Sequence, residues 1–379
     1  MRIKNAKVYN SYKKSFIRAD LIIENGKFEE ILYTGSSRGE AETIAVPGFI
    51  DIHSHGAAGV DMMGADAERL VEMSGHYAKN GVTALFLTTM AAPHEAIMKM
   101  IEQVKKAKSK AKIDFAGIHL EGPYINKNRA GAHPPALIKA PDLSELDDIA
   151  SATLGCGLKL HITLAPEAEG ALEFIAAAVK KGATVSMGHT EADGGTIEKA
   201  IGLGAKSFTH LFNAMSPIHH RDPGVAGIAL SGDAYVELIC DGIHLCPEVV
   251  RLAQKAKGCG RIILVSDSMA AAGLGEGEYG LGSDRGVKVE NGRAFIENAD
   301  GTQTIAGSTT NLHKELCNFM EFTGKSLEES LAAVTKNPAE CVGIYDKKGS
   351  IETGKDADFI LMDKNGAIKE VYANGELIK

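Results

Sequence analysis

The sequence predicts an α/β protein with a (β/α)8 barrel at its centre and a small β domain built from both ends of the chain. Eight apolar runs typical of buried parallel strands recur between residues 48 and 268, and helix-like segments separate most of them. Segments rich in β-branched and aromatic residues flank this alternating region on both sides. A doubly wound open sheet is the alternative arrangement of the same elements.

The terminal segments predict short strands joined by tight turns. Up to about residue 46, a Glu24-Asn25-Gly26-Lys27 turn separates two strand-like runs, and the last thirty-odd residues contain the turns Asn365-Gly366 and Asn374-Gly375. We therefore predict one small β domain formed by residues 1–46 and 346–379, with the barrel over residues 47–345.

The middle of the chain supplies the strands of the predicted barrel. They are expected at residues 48–55, 82–89, 113–122, 158–166, 183–190, 207–213, 235–242 and 261–268. A glycine-rich stretch at about 275–305 departs from the alternation and contains VKVENGRAFIEN. We interpret it as a hairpin-like insertion after the eighth strand.

Composition excludes several classes of function. The 379 residues include 41 basic and 49 acidic side chains, so the formal net charge is −8 and no basic surplus is present to neutralise nucleic acid. No run of roughly 18 uncharged apolar residues predicts a membrane span, and MRIKNAKVYN lacks the apolar core of a signal peptide. The cysteines contain no CxxC pair, which predicts free thiols in a reducing cytoplasm: Cys156, Cys240, Cys246, Cys259, Cys317 and Cys341.

Side chains able to bind a metal or move a proton fall at the carboxyl ends of five predicted strands. In a barrel those ends meet at one mouth, so we expect them to converge. Imidazole and carboxylate together suit Zn²⁺, Fe²⁺, Co²⁺ or Mn²⁺. The residues are His53, His55, Glu121, His189, His210 and Asp267.

Each of these residues also has a simpler interpretation. His53 and His55 lie on one side of a strand and can reach one metal, but two such residues can also simply close a strand. Glu121 ends an apolar strand, where its two oxygens can bridge two cations or form a salt bridge in a loop. Asp267 suits a general base for metal-activated water, or an N-cap for the next element. Their joint occurrence favours a metal site.

A polar loop beyond the strand ends contains Arg221, whose guanidinium suits bidentate binding of phosphate. Pairing of Arg221 with Asp222 is the alternative. His244 and Asn213 can donate hydrogen bonds to sugar hydroxyls or phosphate, or cap their own loops.

Eight motifs carry a resemblance that extends nearly end to end. They are PGFIDIHSHG, HLEGPYIN, GHT, THLFNAM, RDPGVAG, DGIHL, SDSMAAAG and IAGSTT, in this order. With them the chain resembles the N-acetylglucosamine-6-phosphate deacetylase family of the amidohydrolase superfamily. HLEGP together with THLFNAM is specific to that family, whereas HxH alone indicates only the superfamily.

The resemblance implies a (β/α)8 TIM barrel of the metal-dependent hydrolase type plus a small β-sandwich built from both termini, usually as a homodimer. Glu121, His189 and His210 would hold the main metal. His53 and His55 match members able to hold a second, so one or two divalent ions (Zn, Fe, Co or Mn) are implied. Asp267 would be the catalytic acid/base, although Ser266-Asp267-Ser268 stands where Thr-Asp-Ala is common. The matching substrate-binding positions are Ala132, His133, Asn213, Ala214, Arg221, His244, Ile305, Ala306 and Gly307.

The implied reaction is hydrolysis of N-acetyl-D-glucosamine 6-phosphate to D-glucosamine 6-phosphate and acetate by metal-activated water, with Arg221 shared across the dimer interface. A related acylamino sugar or a cyclic amide is the alternative substrate. Cyclic-amide hydrolases commonly carry a carboxylated lysine at the end of strand 4, where this chain has Thr163-Leu164-Ala165-Pro166. A barrel that had become a non-enzymatic interaction protein would be expected to lose ligands.

Overall fold

The structure is a computed structural model that describes residues 1–34, 43–282 and 285–379. Parts of the predicted terminal domain and insertion, residues 35–42 and 283–284, lie outside the described residues.

The strands are β1 Arg2–Asn10, β2 Ser15–Glu24, β3 Lys27–Tyr33, β4 Ile44–Pro47, β5 Phe49–Ser54, β6 Gly56–Ala57, β7 Val60–Asp61, β8 Val82–Thr88, β9 Asp114–Glu121, β10 Lys159–Leu164, β11 Thr184–Met187, β12 Ala205–Phe208, β13 Tyr235–Leu238, β14 Ile262–Leu264, β15 Gly277–Leu281, β16 Arg285–Glu290, β17 Arg293–Glu297, β18 Gln303–Ile305, β19 Phe359–Met362, β20 Ile368–Ala373 and β21 Glu376–Leu377. The α-helices are α1 Ala67–Lys79, α2 His94–Lys108, α3 Leu143–Leu154, α4 Ala171–Lys180, α5 Gly194–Gly202, α6 Gly224–Ser231, α7 Pro247–Lys257, α8 Leu312–Thr323, α9 Leu327–Ser330 and α10 Lys336–Cys341.

The barrel is an eight-stranded sheet in the order β14-β13-β12-β11-β10-β9-β8-β5, and every neighbouring pair is parallel. The predicted fold class is therefore confirmed. The sixth strand lies earlier than predicted, at Ala205–Phe208 instead of 207–213, because the chain turns out of the extended conformation by His210, which has a φ of 30°.

Burial on both faces explains why these strands are continuous apolar runs. All seven residues of β8 are buried, since one face meets the barrel interior and the other meets the surrounding helices. The side chains that fill the interior form a separate apolar cluster that includes Ile50, Ile52, Phe86, Ile263 and Val265. The interior is thus a packed core, and the open end of the barrel is left for chemistry.

Both ends of the chain contribute to one seven-stranded sheet in the order β21-β20-β19-β4-β1-β2-β3. β4 runs through Gly48 directly into β5, so this sheet is attached to the first barrel strand. A Cβ atom at Gly48 would lie 2.1 Å from Thr83 Oγ1, so only glycine fits at this junction. The boundaries 1–46 with 346–379, against 47–345, stay a prediction.

The insertion forms a four-stranded antiparallel sheet, β15 to β18, where the sequence predicted a hairpin. Its inner face packs against Met90 and Met269 through Leu281, Val287 and Ile296. This packing places the insertion beside the barrel mouth. Among the described residues, no helix is both long and apolar enough to cross a membrane.

Candidate active site

The predicted metal and proton-transfer residues converge at the carboxyl ends of the barrel strands. Glu121 is the last residue of β9, and its carboxylate divides the other side chains into two groups. Glu121 Oε1 lies 3.2 Å from His189 Nε2 and 3.0 Å from His210 Nε2. Glu121 Oε2 lies 3.4 Å from His53 Nε2 and 3.1 Å from His55 Nε2. One carboxylate therefore joins four imidazoles.

Three of these residues share an unusual backbone conformation. His189, His210 and Asp267 follow β11, β12 and β14 by two or three residues, with φ angles of 48°, 30° and 44°. This left-handed region costs a non-glycine residue about 1–3 kcal/mol, and such strain is concentrated at functional sites. The turns direct all three side chains into the same cleft, whose volume is about 360 Å³.

The group of Glu121, His189 and His210 has the chemistry of a cation site. His189 Nδ1 donates a hydrogen bond to the Arg129 carbonyl oxygen (2.6 Å), which leaves the lone pair of Nε2 facing the group. The Nε2 atoms of His189 and His210 are only 3.0 Å apart, and both face the same carboxylate oxygen. A single divalent cation can bind the lone pairs of both imidazoles and of the carboxylate at once, and it does so better than protons do.

A second group contains His53, His55 and Glu121, with Asp267 beside it. His53 Nδ1 donates to Glu237 Oε2 at 3.1 Å, whereas the buried His53 Nε2 makes no hydrogen bond. Asp267 Oδ1 lies 3.6 Å from His53 Nε2 and 3.3 Å from His55 Nε2. In both groups the candidate ligand atoms lie within 4.8 Å of one another. The donor sets thus fit two adjacent ions that share Glu121.

Electrostatics keep the two carboxylates of the site ionised. Burial alone would raise the pKa of Glu121, but His53, His133, His189 and His210 outweigh it and hold the pKa well below its usual range. Burial likewise opposes ionisation of Asp267, and His53 and His55 lower its pKa overall. The site therefore presents anionic oxygens, which suit a cation and a proton acceptor.

The barrel closes at the site itself. The Asp267 N–H donates to the His53 carbonyl oxygen at 2.9 Å, and the His55 N–H donates to the Ser268 carbonyl oxygen at 2.8 Å. Ser54 Oγ and Ser268 Oγ are 2.8 Å apart. These contacts fix the candidate ligands of the first strand relative to the candidate acid/base after the last one.

Glu237 is a buried charged residue of β13 that sequence reasoning missed. Its Oε2 accepts from His53 Nδ1 and, at 3.3 Å, from the His210 N–H, while its Oε1 lies 3.7 Å from His161 Nε2. Burial raises its pKa, but His161 and His53 lower it well below the usual range. The sequence signal that could have identified Glu237 was an acidic residue inside the apolar run YVELIC.

Glu237→Gln is expected to weaken metal binding about 10–100-fold, because an amide accepts the His53 Nδ1 hydrogen bond less strongly and no longer fixes its tautomer. Chelator competition measures the affinity. Glu340→Gln is the matched control, since Glu340 contacts Tyr235 at the far end of the same strand. Equal metal affinity in the Glu237 and Glu340 variants would contradict this role.

Most of the predicted substrate-binding residues line the cleft. They are Ala132, His133, Asn213, Ala214, His244, Ile305 and Gly307. Ala306 is instead buried in the core beneath the insertion. Arg221 lies outside the cleft of its own chain, in an exposed loop, with Nη1 2.6 Å from His220 Nε2.

Two histidines in the cleft have defined hydrogen-bond partners. His133 Nδ1 accepts from the Ala91 N–H at 3.0 Å, so the ring carries its proton on Nε2, which lies 3.5 Å from Glu121 Oε2. His244 Nδ1 is 2.8 Å from Asp241 Oδ2. Burial lowers the pKa of His244, but Asp241 more than compensates and raises it. Both rings can thus donate a hydrogen bond to a ligand in the cleft.

The cleft also contains residues that sequence reasoning did not single out, namely Met90, Asn128, Arg129, Leu281 and Thr304. Arg129 and Asn128 belong to the polar loop after β9, and Leu281 and Thr304 belong to the insertion sheet. The insertion therefore forms one wall of the cleft.

Several related proteins are similar to this chain along most of its length. Residues 44–378 match the amidohydrolase family. The N-acetylglucosamine-6-phosphate deacetylase of Bacillus subtilis (strain 168) is 38% identical over 91% of this chain and 87% of that protein. The enzyme of the same name from Bos taurus is 34% identical over 96% of this chain and 92% of that protein.

Solved structures agree with this relationship. N-acetylglucosamine-6-phosphate deacetylase from Thermotoga maritima superposes with a TM-score of 0.91 at 33% identity, covering 100% of this chain and 99% of that chain. A mutant of the Mycobacterium smegmatis enzyme, solved in complex with N-acetyl-D-glucosamine-6-phosphate, gives a TM-score of 0.90 at 30% identity, with 100% and 99% coverage. The chain therefore belongs to the amidohydrolase family and, within it, to the N-acetylglucosamine-6-phosphate deacetylases.

Proposed function

We propose that this protein hydrolyses N-acetyl-D-glucosamine 6-phosphate to D-glucosamine 6-phosphate and acetate in a metal-dependent reaction. The main support is the geometry of the site. Glu121 joins two pairs of imidazoles, and Asp267 lies beside them in a cleft lined by most of the expected sugar-phosphate contacts. One or two divalent ions (Zn, Fe, Co or Mn) are proposed per subunit.

Glu121, His189 and His210 would hold the main ion, and His53 and His55 together with Glu121 would hold a second. When bound, a divalent cation in such a site acts as a Lewis acid and lowers the pKa of water towards neutrality.

Asp267 is proposed as the general base and then the general acid. Its carboxylate lines the cleft and is ionised, so it can take a proton from the attacking water. It then delivers that proton to the amide nitrogen, because an amine departs far more readily than an amide anion. The backbone contact to the His53 carbonyl oxygen holds Asp267 in place during both transfers.

His133 is proposed to stabilise the developing oxyanion. Its Nε2 proton points towards the site because Nδ1 is occupied by the Ala91 N–H. A donor held in place before the reaction stabilises charge without reorganising. Binding of the sugar phosphate is assigned to the cleft residues Ala132, Asn213, Ala214, His244, Ile305 and Gly307, while Ala306 is fully buried and packs behind them.

A cyclic-amide hydrolase is the second candidate, and the end of β10 disfavours it. Lys159 is the first residue of that strand and therefore lies at the end opposite the mouth, while Leu164 and Ala165 occupy the mouth end. The described strand β10 thus places no lysine at the mouth to become a carboxylated metal bridge.

Acetate release from acetylated sugars, measured beside ring opening of a cyclic amide, distinguishes the deacetylase from the cyclic-amide hydrolase. The protein, loaded with a defined metal, is assayed with 6-phosphates of N-acetylglucosamine, N-acetylgalactosamine and N-acetylmannosamine, with unphosphorylated N-acetylglucosamine, and with a cyclic amide. We expect the highest kcat/KM with N-acetylglucosamine 6-phosphate. Turnover of the cyclic amide alone would overturn the proposal.

We further propose a cytoplasmic homodimer in which Arg221 reaches the phosphate in the neighbouring subunit. The Arg221 side chain is exposed outside its own cleft, which supports binding in a neighbouring subunit. All six cysteines are free, which supports the cytoplasm.

Arg221→Ala is then expected to lose about 1.5–3 kcal/mol of binding free energy, as for a charged hydrogen bond, with the phosphorylated sugar but not with the unphosphorylated one. The measurement is kcat/KM for both sugars.

Mixed dimers test the shared site. If Arg221 acts on the neighbouring barrel, a dimer of Arg221→Ala and Asp267→Asn subunits has one doubly defective site and one intact site. Activity at low substrate should then exceed that of either parent. Mixed dimers that form without any gain would refute action across the interface.

A further inference from the structure

We infer that Arg129 is a specificity-determining residue that binds the phosphate of the substrate from within its own chain. This inference rests on the proposed deacetylase function and adds a second arginine to that site. Arg129 lies in the loop after β9 and is far from Arg221 along the sequence.

Arg129 gives the described part of the cleft a permanent positive charge. Among the described residues that line the cleft, Arg129 is the one lysine or arginine. A sugar 6-phosphate carries close to two negative charges at neutral pH. A guanidinium matches phosphate with two parallel N–H donors, which a histidine cannot offer.

The backbone of Arg129 is fixed to the reaction centre. Its carbonyl oxygen accepts the Nδ1 hydrogen bond of His189, and the Asn126 N–H donates to the His189 carbonyl oxygen at 2.9 Å. Gly131, with a φ of 56°, brings the same loop so close that a Cβ atom there would lie 3.2 Å from His189 Cε1. The loop thus holds the backbone of Arg129 at a set distance from a candidate metal ligand, which limits the region that its side chain can reach.

The side chain of Arg129 is held weakly enough to change partners. Its Nε lies 2.7 Å from Glu191 Oε1, but this nitrogen makes no hydrogen bond. The side chains of Arg129 and Glu191 are 32% and 34% exposed, and ion pairs at such exposure contribute about 0–1 kcal/mol. Arg129 lines the cleft and Glu191 does not, so we place the phosphate on the side of the guanidinium that faces away from Glu191.

Two variants with opposite expectations test the assignment. Arg129→Ala should lower kcat/KM for N-acetylglucosamine 6-phosphate about 10–100-fold, mainly through KM, and leave the unphosphorylated sugar nearly unchanged. Arg129→Lys should recover part of the loss, since it keeps the charge but not the paired donors. Glu191→Gln removes the competing carboxylate, so KM for the phosphorylated sugar should stay equal or fall.

A merely structural role predicts a different pattern. If the ion pair only braced the loop, Glu191→Gln and Arg129→Ala would impair both sugars to the same degree, and that result would overturn the inference. A wild-type protein without acetate release from N-acetylglucosamine 6-phosphate would instead overturn the proposed function itself.

Mixed subunits check that Arg129 acts in its own chain. Arg129→Ala subunits combined with Asp267→Asn subunits should give no gain, because every mixed site keeps one defect. A gain in activity would assign Arg129 to the neighbouring site and contradict the inference.

Discussion

Glu121→Gln is expected to lose most of the bound metal and nearly all activity. Glu121 is the one carboxylate common to both candidate ligand groups, with Oε1 facing His189 and His210 and Oε2 facing His53 and His55. Glutamine offers one neutral oxygen and places an NH₂ group against imidazole nitrogens, and a neutral amide is a poor ligand for these cations. Elemental analysis of the purified variant, together with kcat/KM, measures both losses.

The companion variant His53→Asn with His55→Asn should lose less metal, because Glu121, His189 and His210 still form a complete group. The difference in metal content between the two variants identifies which residues hold the main ion. Full metal content in Glu121→Gln would refute the assignment, whatever happened to its activity.

Asp267→Asn is expected to fold, retain at least one metal and lose about 10²–10⁴ in kcat, the range for a missing general acid/base. KM should change little, because Asp267 acts on the reacting centre. Asparagine tolerates the positive φ of 44° at this position, so the backbone bond that closes the barrel should survive. Steady-state kinetics and thermal unfolding measure the two effects.

Metal content must be measured on the same Asp267→Asn sample, because Asp267 Oδ1 lies 3.3 Å from His55 Nε2. A fall in kcat with metal retained supports proton transfer by Asp267. A fall that tracks metal loss would make Asp267 a ligand instead, and a near-normal kcat would exclude the catalytic role.

The barrel could be predicted because its strands are buried on both faces and therefore read as continuous apolar runs. Once the strands are known, parallel topology alone brings Glu121, His189 and Asp267 to one mouth. Strand positions alone did not define the roles of these residues, and the roles were inferred from the resemblance to a family.

The remaining features depend on contacts between distant parts of the chain. Glu237 meets His53 across 184 residues, and no local pattern marks that pairing. The insertion was predicted as a hairpin because its short, polar strands β15 and β18 have little apolar periodicity. Arg129 lies in a polar loop where a basic residue is unremarkable until the cleft is seen.

The sheet built from both ends of the chain has a consequence for synthesis. β4 pairs with β19, so one edge of β4 stays open until residues 359–362 leave the ribosome. At about 5–20 residues per second, this delay after β4 is about 15–60 s. Unpaired edges invite pairing between chains, and this edge continues into β5, which carries His53. Substitutions in β19 are therefore expected to lower the yield of soluble protein first, while the fraction that folds keeps its turnover number.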